Sequence, residues 1–179
     1  MKNLHDWIIG LATKLDALVG ARVQNVYHVE CRDGDGNLKW EEDIGNTVTT
    51  EGLADLLTKY FKGSSYNAAW YMGLKGTGSI VAGDTLALHA GWAEVTAYTS
   101  GGSGNRPAPS WASATGGSLP AAAIVFTMTG AYTVAGVFLC TVTSGSSGTL
   151  YGGGDFATAR SGAAPDTLTV TPTATAASA

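Results

Sequence analysis

Apolar residues recur along this chain with two different periods, and the change from one to the other organises it. In the first twenty residues Leu4, Ile8, Leu11, Leu15 and Leu18 are spaced by four and three, which places them on one stripe of an amphipathic helix that ends near Gly20. That stripe needs a partner, either the domain that follows or a neighbouring subunit, because two or three heptads are too few to define a coiled coil. Next, Val23 to Arg32 and Leu38 to Ile44 flank DGDGN, a hairpin signal in which Gly and Asn can take positive φ. Within the first of these strands Tyr27, Val29 and Cys31 share one face, and Val26, His28 and Glu30 the other. After Thr49 and Thr50 a short helix is predicted to about Lys62, with Leu53, Leu56, Leu57, Tyr60 and Phe61 on one side. Glu51 and Asp55 sit near its positive end, Lys59 and Lys62 near its negative end, and Gly63 terminates it.

From Asn67 onward the pattern becomes short apolar or alternating stretches separated by Gly, Ser and Pro. Ala68 to Lys75, Trp92 to Tyr98, Ala121 to Thr129, Thr133 to Thr143 and Thr167 to Thr175 are predicted strands. Ser100 to Asn105 and Ser144 to Gly148 read as Gly/Ser connections, with Pro107 and Pro109 stiffening the loop after the first. Gly152, Gly153, Gly154 and Asp155 read as a further loop. Pro172 cannot donate to a ladder, so the last strand is expected at a sheet edge or leaving the sheet. Strands at these intervals imply a mainly β chain, a jelly roll or β-sandwich. The expected organisation is an N-terminal helical arm over residues 1–22 and one β domain over 23–179, with one short internal helix. No internal repeat of fixed period is present.

Composition changes that picture in one respect. Of 179 residues 45% are hydrophobic but only 13% charged, about half the usual charged share. The exposed surface is therefore Ser, Thr, Gly and Ala, with little charge repulsion between copies, which suits a subunit packed into an assembly. Most of the charge lies between Met1 and Lys75. A net charge of −4, with ten basic residues scattered singly, argues against a nucleic-acid surface. Asp6, Lys14 and Asp16 interrupt the N-terminal apolar run and spoil both a signal-peptide core and a membrane span. Synthesis and assembly inside the cell are the expectation, with no membrane partner.

Candidate chemistry is mostly refused. Asp33, Asp35 and Asn37 alternate as oxygen ligands would, but Leu38 and Ile44 stand where an EF-hand needs Gly and a bidentate Glu. A plain turn is the preferred reading there, and no metal or cofactor is expected. Cys31 and Cys140 lack the spacing of a redox or zinc motif and read as reduced thiols. His5, His28 and His89 could act as bases, and Asp84 lies near His89. No nucleophile elbow, zincin helix or phosphate-binding loop accompanies them, so His89 reads as a structural residue before Trp92 and no catalytic role is expected. Glu41, Glu42 and Asp43 read as a solvated strand end. Trp40, Trp70, Trp92 and Trp111, with Tyr66, Tyr71 and Tyr98, could line a sugar-binding surface, although core and interface positions are preferred. If Ala68 to Lys75 is a strand, Trp70 and Tyr71 face opposite sides, one inward and the other at an interface.

Three stretches taken together resemble a family of small structural proteins of tailed phages and prophages. They are VYHVECRDGDGNLKWEEDIGNTVTTEGLADLLTKYFKGSSYNAAWYMGLKG, GDTLALHAGWAEVTAYTSGGSGNRPAPSW and GTLYGGGDFATARSGAAPDTLTVTPTATA. The shared series runs from a DGNLKW hairpin through N-x-V-T-x-E-G-L, AWYMGLKG, HAGW-x-EVTAY and NRP to a closing GDF with a Thr/Val strand. It covers the chain from about Val23 to the end. The chain departs from that pattern in the long SGGSGNRPAPSW loop and in the proline of PDTLTVTPT. The resemblance implies a cement or decoration protein on the virion head, with the major capsid protein as partner; apart from the resemblance, a point-symmetric oligomer such as a homotrimer is a further expectation. It implies no catalytic residue. Leu4, Ile8, Leu11, Leu15 and Leu18, together with Tyr71, Thr169 and Thr171 in the strands, are the candidate interface residues, acting as helix-in-groove and strand addition. A neck or tail adaptor, a fibre component, a carbohydrate-binding module of a fibre and an envelope hydrolase are the alternatives.

Overall fold

The computed structural model describes residues 21–63 and 70–178. The N-terminal stripe and Tyr66 lie outside the described residues. The described chain is mainly β, with two antiparallel sheets and one short helix. In one sheet β2 (Leu38–Gly45), β1 (Ala21–Arg32), β11 (Thr167–Ser178), β8 (Ile124–Met128) and β6 (Tyr98–Thr99) follow in that spatial order, and β7 (Ser118–Pro120) also pairs with β11. In the other sheet the order is β3 (Thr47–Val48), β10 (Leu150–Gly162), β9 (Tyr132–Cys140), β4 (Tyr71–Lys75) and β5 (Glu94–Val95). The helix α1 (Thr50–Tyr60) follows β3.

The first sheet alternates as one buried on a single face must. Tyr27, Val29 and Cys31 of β1, Phe126 and Met128 of β8, and Leu168 and Val170 of β11 point inward and meet Met72, Leu74, Val134 and Val137 of the second sheet in one apolar cluster. The second sheet is covered on both faces, and β9 accordingly reads as a nearly continuous apolar run, VAGVFLC. On its far side Ile80, Leu86 and Trp92 from the segment after β4 pack with Phe138, Cys140 and Leu150. Trp70 packs into the first cluster and Tyr71 against the second, so the alternation expected there holds. Tyr71 itself is half-buried against that second cluster.

The DGDGN turn closes as a hairpin, with the Asp33 carboxylate accepting from the backbone of Asp35 and Asn37 and from the Asn37 side chain. Other elements differ from expectation. The glycine run at 152–154 is no loop but the first half of β10. It crosses so close to its neighbours that a Cβ at Gly153 would stand 2.3 Å from the Val137 carbonyl oxygen, so the glycines mark tight strand approach instead of a turn. Trp92 to Tyr98 is not one strand: Glu94–Val95 joins one sheet and Tyr98–Thr99 the other, the chain stepping between them at Thr96 and Ala97. Nor is the last strand at an edge. β11 pairs with β1 along its whole length and with β8 and β7 on its other side. Pro172 is tolerated because its nitrogen faces the gap where β8 gives way to β7, the side on which its own carbonyl accepts from Ala121. Glu42 also departs from a fully solvated strand end, since it accepts from Ala157 N at 2.7 Å and approaches Arg160 at 3.4 Å.

Candidate functional site

The site begins with how α1 is anchored. Thr49 caps the helix by accepting from Gly52 N at 3.1 Å, and the same hydroxyl donates to the Leu150 carbonyl. One oxygen of Glu51 accepts from Leu150 N at 2.8 Å and Leu86 N at 3.2 Å. Gly52 lies flat on β10, where a Cβ would stand 2.3 Å from the Tyr151 carbonyl oxygen. These polar attachments put the Glu51–Asp55–Lys59 side of the helix inward. Leu56 lies on that inward side and is half-buried at the cavity, so the predicted apolar side is split, and its other members face out: Leu53 is 44% exposed, Leu57 55%, Tyr60 79% and Phe61 77%.

Beside α1, a cavity of about 630 Å³ opens between the ends of the two sheets. Val23, Leu119 and Ala174 of one sheet face Leu139 and Tyr151 of the other, with Leu56 and Tyr60 of α1 across the mouth. Trp70 and Trp111 complete the aromatic wall, and the Trp70 and Tyr151 rings meet edge to face at 5.2 Å. Burial raises the Tyr151 hydroxyl pKa above its ordinary value. The polar lining includes Asn25, Asp55 and Lys59. Asn25 is 1% exposed; its backbone N donates to Asn46 Oδ1 and its side-chain nitrogen to the Tyr27 hydroxyl, while its Oδ1 has no hydrogen-bond partner among the described residues. An apolar, concave, partly aromatic space with one unsatisfied acceptor is suited to receiving an apolar group that carries a donor.

The clusters around His89 and His28 are internally matched. His89 stacks on Trp92 at 3.9 Å and its Nδ1 meets the Trp92 carbonyl at 3.0 Å, while Asp84 accepts from the Trp92 indole N–H at 3.0 Å and from Val81 N. Both residues thus serve Trp92. On the outer face of the first sheet His28 bridges Asp43 at 2.7 Å and Glu30 at 3.3 Å, and Glu30 holds Arg32 at 3.1 Å. The ligand atoms of His28, Glu30 and Glu41 fall within 4.8 Å of one another, yet the Arg32 guanidinium already neutralises part of that charge, and the group reads as an ion-pair ladder. Thr169 and Thr171 lie on the same face, opposite Glu30 and His28. Because β11 is paired on both sides there, strand addition is closed to these residues, and only their side-chain face is open. Cys31 and Cys140 are buried free thiols, each with its pKa raised by that burial.

A residue that the sequence pattern did not single out lies at the centre of the second sheet. Lys75 is fully buried, with its ammonium 3.0 Å from Asp155 and donating to the carbonyls of Gly76 and Gly78. Arg106 is also buried, bidentate to Glu94 at 2.7 and 2.6 Å and donating to Val142 and Gly145 carbonyls. The cavity itself had a partial signal in the sequence, since Val23 and Asn25 share the parity of Tyr27, Val29 and Cys31. The contribution of Trp111 from a long loop had none. No helix among the described residues is long and apolar enough to cross a membrane. Comparison with protein-family models, with curated proteins and with solved structures gives no match for this chain, so the outward apolar helix and the aromatic cavity stand as the features from which its function has to be argued.

Proposed function

We propose that this chain is a non-catalytic structural protein of a tailed-phage particle, a jelly-roll or sandwich-type domain that decorates and cements the head. The observation that carries this reading is the helix α1, pinned by polar contacts so that Leu53, Leu57, Tyr60 and Phe61 face solvent. An exposed apolar patch on a stable domain is a surface to be covered by another subunit of an assembly. The low charge, 13% of residues, agrees with close packing among copies, and the motif series from DGNLKW to the closing Thr/Val strand supports the virion setting. The partner on this reading is the major capsid protein, with a second contact to further copies of the chain as a homotrimer.

Cementing then follows from mass action. A protein that binds the assembled lattice and not the free capsid subunit stabilises the assembled state by its binding free energy. Spread over many copies, each burying on the order of 1,600 Å² with its neighbours, this resists internal pressure without any single strong bond. The test compares particles with and without the protein for heat-induced genome release. Release at a lower temperature without it is expected, and equal temperatures would remove the cementing role. Hundreds of copies per particle are expected for the shell; six or twelve would place the protein at the neck instead.

The cavity favours a second reading, a carbohydrate-binding module of a fibre, because Trp70, Trp111, Tyr60 and Tyr151 surround it with Asn25, Asp55 and Lys59 nearby. Flat rings pack on sugar faces and the polar groups would orient hydroxyls. Glycan-array binding lost on Trp111→Ala would establish it, and an array without signal would dismiss it.

A further inference from the structure

We propose that the outer face of α1 and the cavity beside it receive residues 1–20 of a second copy of this chain, so that copies exchange their N-terminal segments. This rests on the assembly reading above and names the first partner as the chain itself. Two apolar surfaces of this chain call for a partner. One is the α1 face, which cannot turn inward because Glu51, Thr49 and Gly52 fix the opposite side against β10. The other is the stripe of Leu4, Ile8, Leu11, Leu15 and Leu18, which the sequence places on one side of a helix about 27 Å long. Each surface taken alone leaves apolar area in water at roughly 25 cal/mol per Å², and pairing them removes both. Trp7 and Lys14 flank that stripe and would bring N–H donors to the cavity, where the buried Asn25 Oδ1 has no partner among the described residues.

The connection decides in favour of a second copy. β1 begins at Ala21, and its ladder with β11 already starts there, Ala21 opposite Ser178. Only Gly20 separates the predicted helix from the paired strand, whereas a helix-to-strand connection usually has about 2–6 residues. A connection this short gives a helix little chain on which to fold back over its own domain, and such a hinge favours exchange with a neighbour. Val23, two residues into the strand, lines the cavity, so the strand that carries the segment passes beside the socket.

The experiment uses the full chain carrying Leu11→Cys or Leu57→Cys, with Cys31 and Cys140 buried and out of competition. The two variants are mixed under reducing conditions and then oxidised. A disulfide-linked pair of chains that forms in the mixture, and in neither variant alone, is the expected result. Dimers of Leu57→Cys alone would mean that α1 meets α1, and closure within one chain in the double variant would mean that each segment covers its own helix. Absence of any link, repeated with Leu15→Cys and Phe61→Cys, would mean that another protein covers the face; each of these three outcomes overturns the proposal. In sedimentation, Leu57→Arg and Leu11→Asp should each weaken self-association about tenfold or more, with unchanged far-UV circular dichroism. A chain that stays monomeric yet binds particles would sink the exchange and leave the cement reading standing, whereas an oligomer absent from particles would do the reverse.

Discussion

Gly136 lies between Lys75 and Asp155 on adjacent strands, paired with both. The missing side chain is what lets the lysine reach across: a Cβ there would stand 2.1 Å from the Gly154 carbonyl oxygen and 3.1 Å from Lys75 Cε. Gly136→Ala is expected to cost about 1–3 kcal/mol through overpacking, read as a lower denaturant midpoint with unchanged slope. His28 supplies a pH-dependent term. Its hydrogen bonds to Asp43 and then Glu30 raise its pKa above the ordinary imidazole value, and a raised folded-state value means that the imidazolium stabilises the fold. That contribution is complete below about pH 6.5 and is lost as pH rises through the higher folded value. Melting temperatures of the wild type and His28→Gln should therefore differ most below the ordinary imidazole pKa and converge as the pH rises through the higher folded value. A gap that widens with pH would contradict the ion-pair ladder.

At the scale of elements, α1 separates two contributions that helices usually combine. Its attachment is polar and N-terminal, while its apolar residues contribute little to the fold of the single chain. Thr49→Ala removes the cap and the bond to the Leu150 carbonyl and is expected to cost about 1–2 kcal/mol. Amide exchange should quicken in α1 ahead of the sheets. Leu57→Ala, on the exposed side, should change the stability of the isolated chain by less than about 0.5 kcal/mol. A large loss there under conditions that keep the chain monomeric would mean that the leucine is covered within the chain. The periodicity of Leu53, Leu56, Leu57, Tyr60 and Phe61 foretold the helix, but of these five Leu56 lies inward while the other four form the exposed apolar side. It could not foretell the direction of that side, because the direction is set by Glu51 bonding to Leu86 and Leu150, residues 35 and 99 positions away.

For the whole molecule, stability resides in the space shared by the two sheets. Phe126 is fully buried and meets the Tyr98 ring edge to face at 4.8 Å, so Phe126→Ala should cost about 3–5 kcal/mol and lower the midpoint reported by every probe together. Leu57→Arg, in contrast, should leave the melting temperature of the single chain in place and remove self-association, a separation that calorimetry and sedimentation on the same samples can check.

Local periodicity determined much of this protein: the DGDGN hairpin, the inward parity of Tyr27, Val29 and Cys31, the helix after Thr49, and the opposite facing of Trp70 and Tyr71. These depend on residues close in sequence, and a period of 2 or 3.6 carries that information. Tertiary structure alone decided that the glycines of β10 are strand, that Pro172 sits inside a sheet, and that Lys75 and Arg106 are buried. It also brought Asn25, Trp70, Trp111 and Tyr151 around one cavity and turned α1 outward. Each of these outcomes depends on which distant backbone comes within hydrogen-bonding or van der Waals distance, and a one-dimensional pattern of apolar and polar positions does not contain that distance.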